Sequence, residues 1–400
     1  MSSVAPHQLF ITIVHGTWPD GLFRTLLGRK RRTYWFDNGS SFCTRLSAGL
    51  GGIPHKIKSL RWGGENSVYK RDEVALRLAE DLSTQHKEHP QATQLVIAHS
   101  HGGNIALRAL HHLHKREDAP ACGKESANPL VVTLATPFVE IHPADLGSRS
   151  FLVRLALVSA LVLPLSIFAS PVLNSVADQP YSSTGSLLGA LLLCICALVA
   201  WGWYWIGRGA ARQQKVELLS DATRLGETPS GRRLCVIRAV DDEAHLVMAL
   251  GTILTYIFTT LIALSVVVVN FLPTIANLPL MYILLNYSTV PSGVDRVEYA
   301  FMLEAWYRHA FTFGCSALVI AMFGALIVSR LVHGQELAKS PLDCQINTQS
   351  APDAAGLTIV TLVSHKHEKF FGRHGIYEHD NCDEVISDWV RAQLGARRQP

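Results

Sequence analysis

Four long apolar runs break this chain and limit what it can become. Residues 155–173, 186–206, 246–272 and 311–329 contain no Asp, Glu, Lys or Arg. Each reaches the roughly 18–20 residues that a helix needs to cross a bilayer core. The second run ends in Trp201, Trp203, Tyr204 and Trp205, with Arg208 beyond them, an aromatic belt followed by a basic anchor. Charged residues make up 17% of the chain and apolar ones 48%. A soluble chain of this kind carries about 25% charged residues. The sequence therefore predicts four transmembrane helices, arranged as two hairpins.

Basic residues orient those hairpins. The connection 174–185 has no Lys or Arg, whereas Arg149 and Arg154 precede the first run and Arg208, Arg212 and Lys215 follow the second. Arg296 and Arg308, between runs three and four, are outnumbered by Asp295, Glu298 and Glu304, and Arg330 and Lys339 follow run four. Positive residues favour the cytoplasmic side. Residues 1–150, 208–244 and 335–400 are then expected together in the cytoplasm, with hairpins at 151–207 and 245–334. No basic-then-apolar export pattern opens the chain, so no cleaved signal is expected. The net charge of +4 gives no reason to expect nucleic acid as a partner. The eight cysteines form no framework and are read as reduced thiols.

The soluble pieces alternate strand-like and helix-like stretches. Strands are predicted at 9–16, 56–62, 94–100, 129–137, 233–240 and 357–363. Helical spacing is found around 68–85, from Asn104, and near 383–394. Several strands are continuous apolar runs, as expected where both faces are covered. The predicted class is α/β, a mainly parallel sheet with helices on both faces.

The third strand runs into Ala98-His99-Ser100-His101-Gly102. A serine between a β-branched strand and a helix, flanked by small residues, matches a nucleophile elbow with Ala98 in place of the usual first glycine. Such a corner exposes the Ser100 hydroxyl and sets the His101 N–H beside it. The first strand ends in His15-Gly16-Thr17-Trp18, and the N–H of Gly16 or Thr17 is the candidate second oxyanion donor.

With these motifs, and with "GSSF" and "RWGGENSVYKR", the chain resembles the α/β-hydrolases, and among them bacterial lipase-like serine hydrolases. The resemblance covers about the first 115 residues well and the rest by element order. It implies an α/β-hydrolase fold interrupted by the membrane hairpins, a Ser–Asp–His triad in that chain order, no metal and no organic cofactor. The acid follows a late strand, where Asp241 and Asp242 are available and Asp242 fits the turn better. The base precedes the last helix, where His365, His367, His374 and His379 stand, and His374 in "RHGIY" is the first choice before His365. Those histidines with Asp380 and Cys382 could also form a metal site, though without recognisable ligand spacing.

The expected function is a membrane-embedded serine esterase or lipase acting on a lipid or lipid-linked acyl ester. A thioesterase, amidase or acyltransferase with the same triad, or a non-catalytic membrane scaffold, are the alternatives. The expected partners are the bilayer and an acyl-ester substrate. The expected location is a bacterial inner membrane, multi-pass, with the catalytic domain in the cytoplasm.

Overall fold

The computed structural model describes residues 8–19, 33–115, 128–143, 213–224, 233–239, 344–352, 356–363 and 375–396 apart from 380, with individual positions in 250–257 and 313–336. Runs one and two lie outside the described residues, as does most of runs three and four. Among the described residues no helix is long and apolar enough to cross a membrane.

In chain order the elements are β1 (Leu9–Val14), α1 (Ser41–Leu50), β2 (His55–Leu60), α2 (Val68–Glu88), β3 (Thr93–His99), α3 (His101–Lys115), β4 (Leu130–Leu134) and β5 (Phe138–Pro143). There follow α4 (213–223), β6 (Leu234–Ala239), β7 (Cys344–Gln349), β8 (Thr358–Leu362), a 3₁₀ turn (Ile376–Glu378) and α5 (Cys382–Ala396). Six strands form one sheet in the order β2-β1-β3-β4-β6-β8. Every neighbouring pair in it is parallel.

The apolar strands divide their side chains between two layers. Leu9, Ile11, Ile13, Leu95, Ile97 and Val132 face Phe42 and Leu46 of α1 and Ile386 and Val390 of α5. Val14, Val96, Ala98, Val131 and Val236 face Val74 and Leu78 of α2 and Ile105 and Leu110 of α3. Burial on both faces explains why these strands read as unbroken apolar runs. Ser40 and Ser67 start α1 and α2 by accepting from the N–H of Cys43 and Lys70, each at 3.2 Å.

The strand order reverses between β1 and β3: the chain moves outward to β2, then returns to build β3, β4, β6 and β8 on the other side. The carboxyl ends of β1 and β3 lie at that reversal, the position at which open α/β sheets hold their ligands.

The sequence-based limits differ from the structure at that edge. The strand expected to reach residue 137 ends at Leu134, because Ala135 turns to φ 46°. The helix expected from Asn104 starts three residues earlier, at His101. A second, antiparallel sheet of β5 and β7 was not foreseen.

Candidate active site

Three non-glycine residues among those described have positive φ: Trp18 at 47°, Ser100 at 54° and Ala135 at 46°. They follow β1, β3 and β4, so this backbone strain gathers at the carboxyl edge of three adjacent strands. Left-handed backbone costs an L-residue roughly 1–2 kcal/mol. At Ser100 the surrounding hydrogen bonds impose it. Its N–H continues the sheet by donating to Leu134 O at 2.8 Å, while its C=O accepts the first helical bond from Gly103 N–H at 2.9 Å. One residue thus ends a strand and begins a helix.

The corner closes only with glycines around it. A Cβ on Gly102 would come 2.7 Å from Val14 O and 2.9 Å from His15 O. A Cβ on Gly103 would overlap the Thr136 side chain. A Cβ on Gly16 would lie 2.6 Å from Ser100 Cβ and 3.1 Å from Ser100 Oγ. Ser100, expected to stand exposed at the corner, is buried at 4% exposure, because the loop after β1 packs directly against it.

The loop after β1 is held by aromatic stacking. His15 is buried with its ring stacked on Phe36 at 4.5 Å and on Trp62 at 5.5 Å. The Trp62 indole N–H donates to His15 O at 2.9 Å. The Trp18 N–H is committed to Gly64 O at 3.0 Å. Among the described residues the N–H groups of Gly16 and Thr17 have no backbone acceptor.

A second aromatic group, joined to the first by the Trp35–Phe36 edge contact at 5.8 Å, surrounds His99. His99 meets Trp35 edge to face at 5.6 Å and Tyr377 at 5.0 Å. Trp35 and Tyr377 stack at 4.4 Å with an interplanar angle of 10°. Arg45 reinforces this by donating to Tyr377 O at 3.1 Å and to Asp383 at 2.9 Å. Sequence reasoning missed these residues, although the run Tyr34-Trp35-Phe36 is a visible aromatic cluster.

Behind the elbow, α3 is anchored by buried Arg108. Its guanidinium donates to Asp72 at 2.7 Å, Asp221 at 3.3 Å and Arg224 O at 3.2 Å. His112 is 2.8 Å from the same Asp72 oxygen. Burial pushes the Asp72 carboxyl up, but hydrogen bonds from His112 and Arg108 outweigh it and hold the group below the usual carboxylate range.

The structure brings Ser100, Gly16, Thr17 and His101 to one edge. Asp242 and His374, with Asp241 and His365, lie outside the described residues. Their described neighbours do reach that edge. β6 ends at Ala239, paired with Leu362 at the end of β8, and Tyr377, two residues after Gly375, sets its ring against His99. Among the described residues no group of three His, Cys, Asp or Glu side chains is arranged to hold a metal ion.

No family model matches the sequence, and no curated protein matches it. Two solved structures are similar to part of it. A cutinase-like protein from Cryptococcus sp. matches 34% of this chain at 12% identity with a TM-score of 0.23, over 56% of its own length. An acetyl xylan esterase, solved as an iodinated complex, matches 36% of this chain at 14% identity with a TM-score of 0.23, over 68% of its own length. The chain is an α/β protein with a mostly parallel sheet.

Proposed function

We propose that this protein is a membrane-embedded serine hydrolase of α/β-hydrolase type that cleaves an acyl ester of a lipid or lipid-linked molecule. The observation that carries the reading is Ser100 at φ 54°, with Gly16 against its hydroxyl, at the point where the strand order reverses. Backbone strain of this kind persists where the surroundings enforce it, and it clusters at reactive sites.

In this reading Ser100 Oγ attacks the ester carbonyl and His374 takes its proton. Asp242 orients the imidazole. The N–H groups of His101 and of Gly16 or Thr17 hold the oxyanion. The alcohol leaves with the proton from His374, and water, activated by the same base, releases the acid. The role of Asp242 is supported by its place three residues beyond β6, and that of His374 by its place beside Gly375, three residues before the 3₁₀ residue Tyr377.

A lipidic substrate is favoured by where the apolar runs meet the sheet. Asp242 stands four residues before run three. Described positions in 250–257 and 313–332 are helical, and a Cβ on Gly251 would lie 2.5 Å from Val332 Cγ1, so the start of run three touches the residues after run four. Their large apolar side chains face outward, with Phe313 77% and Ile320 70% exposed. Acyl chains are a natural cover for such a surface.

The test is turnover of lipid esters by the full chain in nanodiscs. Hydrolysis falling by about 10⁶-fold in Ser100→Ala and in His374→Ala is the expected result. Activity retained in His374→Ala and lost in His365→Ala transfers the base to His365. Absence of turnover across lipid, thioester and amide substrates by folded protein overturns the reading.

A further inference from the structure

We propose that Glu336 is a positioning residue for the oxyanion loop, coupling the end of the fourth apolar run to the Ser100 site. The inference rests on the serine-hydrolase reading.

Glu336 lies seven residues beyond run four and some 270 positions from the loop it holds. One carboxylate oxygen accepts from Ser67 Oγ at 2.5 Å, and the other accepts from Val68 N–H at 3.0 Å. Both donors belong to the start of α2, where an anion meets unsatisfied N–H groups and the positive end of the helix dipole. The contact extends beyond one side chain. Asn66 Nδ2 donates to Val332 O at 3.4 Å, and buried Arg71 donates to Asn66 Oδ1 at 2.9 Å. Gly334, at φ 115°, takes the turn that brings Glu336 back over this loop.

The segment fastened in this way, residues 62–67, also fixes the oxyanion loop. Gly64 O accepts from Trp18 N–H, and a Cβ on Gly64 would come within 2.6 Å of Pro19. Trp62 stacks on His15 and donates to its carbonyl. His15 precedes Gly16, which touches Ser100. Each link is a direct contact, and the path runs from the end of an apolar helix to the oxyanion donors. Residues 62–67 are thus in direct contact both with that helix end and with the loop beside Ser100. Oxyanion donors act only when aimed within a few tenths of an ångström, so small shifts there change rate more than binding.

The test compares Glu336→Gln with Gln94→Ala in nanodiscs. Gln94 donates to Leu82 O at 2.7 Å and steadies α2 far from the site, so its removal reports the effect of loosening the helix alone. Wild-type protein must first be labelled at Ser100 by a fluorophosphonate. Given that, Glu336→Gln is expected to lower kcat and the labelling rate together by about tenfold with KM unchanged, while Gln94→Ala lowers Tm without changing kcat. Glu336→Gln that loses only Tm, or that matches Gln94→Ala in kcat, overturns the positioning role and leaves the hydrolase intact. Folded wild type that takes no label rejects the hydrolase reading and the positioning role with it.

Discussion

Gly16 and Ser100 touch across the point where the strand order reverses, with room between them for a hydrogen atom and not for a methyl group. The Gly16 backbone therefore packs directly against the Ser100 side chain. In Gly16→Ala the new Cβ must push either the loop or the serine aside. The expected loss in kcat is about 10²-fold, the scale of removing one oxyanion donor. Ester hydrolysis by Gly16→Ala at the wild-type rate would remove this loop from the mechanism.

The elbow glycines are a stability requirement as well. Gly102→Ala drives a methyl against two backbone oxygens, and Gly103→Ala drives one into Thr136. Each is expected to cost about 1–3 kcal/mol. Gly395, inside α5 with nothing within 4 Å of its Cβ position, is the contrast. Gly395→Ala is expected to leave stability unchanged or raise it by up to about 1 kcal/mol. Urea titrations of the three variants check the order. Equal effects at 102, 103 and 395 would contradict it.

His111 makes stability fall on mild acidification. Desolvation, aided by Arg108, lowers its pKa to about 4, and its buried Nε2 has no hydrogen-bond partner among the described residues. The unfolded chain binds this proton near pH 6.5, so between pH 6.5 and 4 the unfolded state holds more protons than the folded one. The contribution is fully present above pH 6.5 and is lost as the pH falls toward 4. The ring is partly exposed, which reduces the effect to about 1 kcal/mol. His111→Gln is expected to flatten the difference in urea midpoint between pH 7 and pH 5. An unchanged slope would assign the acid sensitivity to other groups.

Much of this was legible in the sequence because burial writes a strong pattern. The runs at 94–100, 129–137 and 233–240 are covered on both faces, and each is a strand within a few residues. Ser100 was legible because a tight strand-to-helix corner admits few residues. The helix start was misjudged because Gly102 and Gly103 are poor helix formers, and only contact with Val14, His15 and Thr136 accounts for them. The β5–β7 pairing joins segments some 200 residues apart and is specified by nothing local. The Glu336 cap is invisible for the same reason. Tyr377 reads as an isolated aromatic until the fold stacks it on Trp35.

That stack joins the chain near the elbow to the segment just after His374. Tyr377→Ala removes the stack with Trp35 and the edge contact with His99. It is expected to lower kcat by about tenfold, whereas Tyr377→Phe keeps the ring contacts and is expected to stay within about twofold of wild type. Steady-state kinetics on both variants distinguish packing from hydroxyl chemistry. A larger loss in Tyr377→Phe than in Tyr377→Ala would contradict the packing role.

The central claim is that Ser100 is an activated nucleophile. Fluorophosphonate treatment of the full chain in nanodiscs, followed by mass spectrometry of the modified peptide, tests it most directly. The account predicts one phosphonate on the peptide containing Ser100, and none in Ser100→Ala. Folded protein that takes up no label, or that takes up the same label after Ser100→Ala, would contradict it.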